Sequence, residues 1–144
     1  MPIPVIDLFA GPGGLGEGFS SIFQDDERSF DIKLSIEMDD NAHQTLELRS
    51  FTRQFPIGQI PNEYYQLLQE PKLLERTKLR NKLFELYPAE AEIAKAEAWK
   101  VTLGLIPTEI VDARIQEQLQ GEIVFLLVFT ASAFLFARVI QASF

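Results

Sequence analysis

Asp7 and Glu37 are the two carboxylates whose surroundings suit them to chemistry. Asp7 lies in a short apolar run, Pro4-Val-Ile-Asp-Leu-Phe-Ala10, and is followed by Gly11, Gly13, Gly14, Gly16 and Gly18. Glycine reaches positive φ without steric cost and lets a ligand lie against bare backbone. A helix opening from such a loop aims free N–H groups at an anionic or polar ligand. The stretch therefore predicts a cofactor site after a first strand. Gly11-x-Gly13-x-x-Gly16 also matches the dinucleotide fingerprint, and Glu37 lies near the distance expected of a ribose-binding acid. Two features pull away from NAD. Asp7 and Phe9 precede the glycines, where a dinucleotide strand is aliphatic, and Pro12 with Gly13-Gly14 makes a wider loop than a pyrophosphate clamp needs. A cofactor with an amino-acid tail suits the loop better: carbonyls and Asp7 meet its ammonium group, and Glu37 its ribose.

The elements that must position these groups read as β-loop-α-β-α over residues 3 to 55. After the first strand, a helix is predicted from about Gly14 to Phe23, with Phe19, Ile22 and Phe23 on one face, then a solvated loop at Asp25 to Arg28. Phe30 to Met38 reads as a second strand, in which Ile32, Leu34 and Ile36 alternate with period two. Asp39 or Asp40 can cap a helix that runs to about Phe55 and carries Ala42, Leu46 and Phe51. Two strands joined by a helix imply a right-handed parallel crossover.

Residues 56 to 121 read as a helical insertion, rich in Glu, Lys, Leu and Ala. Helices are predicted at about 62–69, 71–86, 89–103 and 108–120, with Pro61, Pro71, Pro88 and Pro107 near their starts and Gly121 past the last end. Leu73, Leu74, Leu79, Leu83 and Phe84 supply an apolar stripe. Lys72, Arg76, Lys78, Arg80 and Lys82 are interleaved with acids, which favours a solvated face over a nucleic-acid patch. Residues 122 to 144 are strongly apolar. The run from Ile123 to Ala137, with its phenylalanines at 125, 129, 134 and 136, falls short of the roughly 20 residues that span a bilayer. A buried strand continuing into a helix fits it equally well.

The 144 residues suit one domain, and 47% are hydrophobic, enough for a core. A net charge of −8 argues against a strong phosphate-backbone binder. The absence of cysteine excludes disulfides, thiolate metal sites and a cysteine nucleophile. With His43 as the one histidine, a histidine-based metal site is not expected, and His43 reads as structural or exposed. Met-Pro-Ile-Pro lacks the basic start of a signal peptide, so a cytoplasmic setting is expected. A tail anchor at residues 123 to 142 is the weaker reading.

Asp7-Leu-Phe-Ala-Gly-Pro-Gly-Gly14, followed by Gly18-Phe19, resembles the first motif of the DNA (cytosine-5) methyltransferases, and Ile36-Glu-Met-Asp39 resembles their second. The resemblance covers residues 3 to 55. Residues Leu48 to Tyr65 are also similar to a bacterial or phage subgroup with a long helical insertion at this point. It implies an α/β, Rossmann-like S-adenosylmethionine-dependent methyltransferase fold, here incomplete. It implies S-adenosylmethionine as cofactor, and double-stranded DNA as partner of the full-length family but not of this chain alone. By position, Phe9 would pack against the cofactor, and the backbone of Ala10, Gly11, Gly13 and Gly14 would wrap its methionine part. Glu37 would accept from the ribose hydroxyls, and Met38 would stand against the adenine. On the residues alone, Phe9 also fits the core and Glu37 a cap for the helix near Asp40.

One departure weighs against activity. The family's chemistry needs a thiolate that adds to C6 of a flipped cytosine, carried in Pro-Cys-Gln after the fourth strand and assisted by Glu-Asn-Val. That strand is predicted near Ile123 to Val128, yet the residues after it contain neither cysteine nor proline. A frameshift or premature stop near residue 127 is one account. The expectation is a cofactor-binding N-terminal portion, inactive by itself. The alternative is a non-catalytic nucleotide-binding or regulatory protein of Rossmann-like fold.

Overall fold

Strand β1 (Ile3–Asp7) has a strand on either side and apolar partners on both faces, so Val5, Ile6 and Asp7 are all buried. The computed structural model describes residues 1–122, 124–131 and 134–141. After β1 come α1 (Gly14–Ser20), β2 (Phe23–Gln24), β3 (Glu27–Arg28), β4 (Phe30–Glu37) and α2 (Asp40–Arg53). Then follow α3 (Asn62–Gln69), α4 (Leu73–Leu86), α5 (Pro88–Glu97), β5 (Ala98–Lys100), α6 (Thr108–Leu119), β6 (Val124–Ala131) and β7 (Phe134–Gln141). The fold is mixed α/β. Its main sheet has the order β5-β4-β1-β6-β7, parallel from β5 to β6, with β7 antiparallel to β6.

A bulge in β4 decides which helices the sheet meets. Val5 pairs with Ile32 but Ile6 pairs with Leu34, so Lys33 is skipped. The extra residue reverses the pleat. Ile32 therefore packs with Val5, Leu15 and Phe19 against α1, whereas Leu34 and Ile36 pack with Ile6, Val111 and Leu119 under α6. The expected single apolar face of Ile32, Leu34 and Ile36 is thus divided between two layers. Helix α2 joins the α1 side, where Leu46 meets Ala10 and Ala98. Outside it, Phe51 of α2, Leu67 of α3, Leu83 and Phe84 of α4, and Ala91 and Ala94 of α5 close a second core.

Several predicted elements are corrected. Helix α1 stops at Ser20 rather than Phe23, and Ile22 and Phe23 are exposed. The solvated loop is the turn of a β2–β3 hairpin, with Asp25 at φ 52° and Asp26 at φ 65°. Two consecutive positive φ values match the twist of paired strands, and aspartate tolerates them. The helix expected over 89–103 ends at Glu97, and Ala98-Trp99-Lys100 becomes an edge strand on β4. Its apolar spacing suits a helix, but the free hydrogen-bonding edge of β4 overrides that local preference. Likewise β7 replaces the helix expected after the last strand. Leu73 and Leu74, assigned to the apolar stripe, are exposed.

The predicted starts hold at three prolines: Pro88 is the first residue of α5, and Pro61 and Pro107 immediately precede α3 and α6, whereas α4 begins two residues after Pro71. Ile123, residues 132 and 133 and residues 142–144, with the side chains of the whole 123–144 segment, lie outside the described residues. Among the described residues no helix is long and apolar enough to cross a membrane.

Candidate functional site

The predicted site residues fall on the carboxyl edge of the sheet, where β1 ends at Asp7 and its neighbour β4 ends at Glu37. Beyond β1 the chain stays joined to β4, since the Ala10 N–H donates to the Ile36 carbonyl at 3.0 Å. The Gly13 N–H then donates back to the Ala10 carbonyl at 3.0 Å, closing a tight turn. Gly13 has φ +85°, and a Cβ there would lie 2.9 Å from Cδ1 of Leu46, so α2 packs directly on the loop. Gly11 has φ +56° and faces open space, while Gly14 starts α1 near the Arg49 side chain.

Glu37 ties this loop to the next one. One carboxylate oxygen, Oε2, accepts from the Gly11 N–H at 2.8 Å. The other accepts from the N–H groups of Met38 at 2.9 Å and Asp39 at 2.8 Å. Capping of α2 falls to Asp39, whose Oδ1 accepts from Asn41 at 3.0 Å and Ala42 at 2.8 Å. The capping alternative for Glu37 is therefore set aside. A carboxylate offers about four acceptor positions, so three N–H groups leave room for roughly one more donor.

Asp7 sits beneath, in a buried row with Ser35 and Ala98. Its Oδ1 is buried and has no hydrogen-bond partner among the described residues. Burial pushes the carboxyl up to about 6; the Phe9 N–H opposes this and the Glu37 charge adds to it. Phe9 is 49% exposed and Met38 63% exposed, so neither is a core residue. The two follow β1 and β4 at the same sheet edge, with Ala10 buried between loop and α2.

His43 belongs to the scaffold: its Nε2 lies 2.9 Å from the Ala98 carbonyl and links α2 to β5. Among the described residues no cluster of His, Cys, Asp or Glu could hold a metal ion. In the basic cluster, Arg80 pairs with the buried Glu47 and its guanidinium lies 4.6 Å over the Phe84 ring. Lys78 pairs with Glu75 at 2.8 Å.

An ion-pair network on α2 was not legible in the sequence. Arg53 bonds both Glu17 and the buried Glu97, and the Ser50 hydroxyl donates to Glu97 at 2.6 Å. Its members come from three helices with no motif spacing to reveal them. Comparison with family models, with curated proteins and with solved structures finds no match for this chain.

The raised Asp7 value gives stability a pH dependence. The folded protein holds this proton up to about 6, whereas the ordinary value is 3.8. Between those values the folded state binds more protons, so stability falls as pH rises and then levels off. Two pK units correspond to about 3 kcal/mol. An Asp7→Asn variant should match the wild type near pH 3 and exceed it by about that amount at pH 7. Urea titrations across this range check it. A difference that stays constant with pH would show that Asp7 is not the group responsible.

Proposed function

We propose that the glycine loop binds S-adenosylmethionine and that this chain is the cofactor-binding part of a DNA cytosine-5 methyltransferase. The observation that carries the reading is the hydrogen bond from the Gly11 N–H to Glu37, which joins the two resembling motifs in one site. The sheet order supports a Rossmann-like reading. Chain order runs from β1 to β4 and β5 on one side and to β6 on the other, and ligands of such sheets bind outside the carboxyl ends at that reversal.

The residues present fit the cofactor. The Asp7 Oδ1, unpartnered among the described residues, suits an ammonium group, and the bare backbone from Ala10 to Gly14 suits the methionine part. Glu37 retains acceptor capacity for a ribose hydroxyl, and the exposed Phe9 and Met38 offer apolar surface for an adenine ring. The cofactor, when bound, supplies an electrophilic methyl group. With no cysteine, this chain provides no thiolate to add to cytosine, so its part is binding and not transfer.

Calorimetric titration with S-adenosylmethionine is the test. Saturable binding is expected, with Glu37→Ala weakening it about 10- to 100-fold, the range for a hydrogen bond to a charged group. Saturable NAD binding with no response to S-adenosylmethionine would instead favour the nucleotide-binding alternative. Tritiated-methyl transfer to DNA by the purified chain would refute the assignment of binding alone.

A further inference from the structure

On the α6 side of the sheet a cavity of about 950 Å³ runs along the helix, from Leu103 and Ile106 at one end to Leu119 and Glu122 at the other. It goes beyond the cofactor reading: among the predicted site residues none lines it. Leu8, Leu103, Ile106, Val111 and Ile115 make an apolar floor. Glu109, Asp112 and Glu122 stand at its rim, and no lysine or arginine lines it among the described residues.

Two of those acids are exposed and adjacent on the helix surface. Glu109 and Asp112 lie one turn apart on α6 and form no ion pair among the described residues, while Glu122 lies 3.8 Å from Lys33. Helix α6 is 12 residues long, about 18 Å at 1.5 Å per residue. A groove of that length with an apolar floor suits the anchors of an amphipathic helix laid alongside. The acidic rim decides the sign of the helix's flanks.

We infer that this groove docks a basic amphipathic helix of a partner protein. Its apolar stripe would enter over Val111 and Ile115, and its lysines or arginines would meet Glu109 and Asp112. The probes are two fluorescent helical peptides with the same leucine stripe, one flanked by lysines and one by glutamates, read by anisotropy against the full chain. The lysine peptide should bind about tenfold tighter. A Glu109→Lys/Asp112→Lys variant should invert that preference. Because the chain carries a net charge of −8, a Glu85→Lys/Glu92→Lys variant, altered at exposed positions of α4 and α5, controls for general attraction. It should leave the preference intact. Equal binding of the two peptides, no binding of either, or an equal loss in the control variant would each overturn the inference.

Discussion

Replacing Arg53 with methionine is expected to destabilise the fold by about 3–5 kcal/mol, the usual result of removing one partner from a buried ion pair. The Arg53 and Glu97 side chains are each only 6% exposed, and Arg53 also bonds Glu17. Burial raises the Glu97 carboxyl above its ordinary value, and Arg53 and the Ser50 hydroxyl oppose that rise. Without the guanidinium, Glu97 keeps Ser50 and loses its counter-charge. It then binds a proton at higher pH than before, so the deficit should be largest near neutral pH and shrink on acidification. Urea unfolding of the variant at two pH values measures both effects. A deficit under about 1 kcal/mol at neutral pH would mean that the pair behaves as a solvated surface bridge. The pair matters to the site because Glu17 lies on α1, directly after the glycine loop, and Glu97 immediately precedes β5.

Phe51→Ala is expected to have a similar effect, about 3–5 kcal/mol, by a different route. Phe51 is fully buried and stacks on Phe84 at 4.9 Å between ring centroids. It also meets Phe55 at 5.2 Å and Tyr87 at 6.3 Å edge-on. Those rings come from α2, the turn just after it, α4 and the junction with α5, so one truncation opens a void shared by several elements. Phe51→Leu should recover much of the loss, because volume is partly restored. Thermal or urea unfolding checks the order wild type, leucine, alanine. An alanine variant within about 1 kcal/mol of wild type would show that the neighbouring rings collapse into the space.

Local chemistry made part of the fold readable before any coordinates. A strand followed by glycines, a second strand and an aspartate-capped helix depend on short-range sterics and hydrogen bonds. Accordingly β1, β4, α2 and the starts of α3, α5 and α6 fall within a few residues of expectation. The residues expected at the candidate site rest on type and spacing, which are local properties. Their contacts were not. That Glu37 reaches Gly11 depends on β1 and β4 being neighbours in parallel, whereas the Asp39 cap, a local feature, was already among the expected ones.

By itself, then, the sequence determined an apolar strand, a glycine-rich loop after it, an aspartate-capped helix after the second strand, and a chain without a thiol. Tertiary structure alone decided the rest. The bulge at Lys33 sent Ile32 to one layer and Leu34 to the other, because one extra residue reverses the pleat. Ala98 to Lys100 left the helical pattern because β4 offered unpaired hydrogen-bonding groups, and that edge outweighs a weak local preference. Arg53 met two glutamates distant in sequence because three helices converge on it, and long-range convergence leaves no spacing to read.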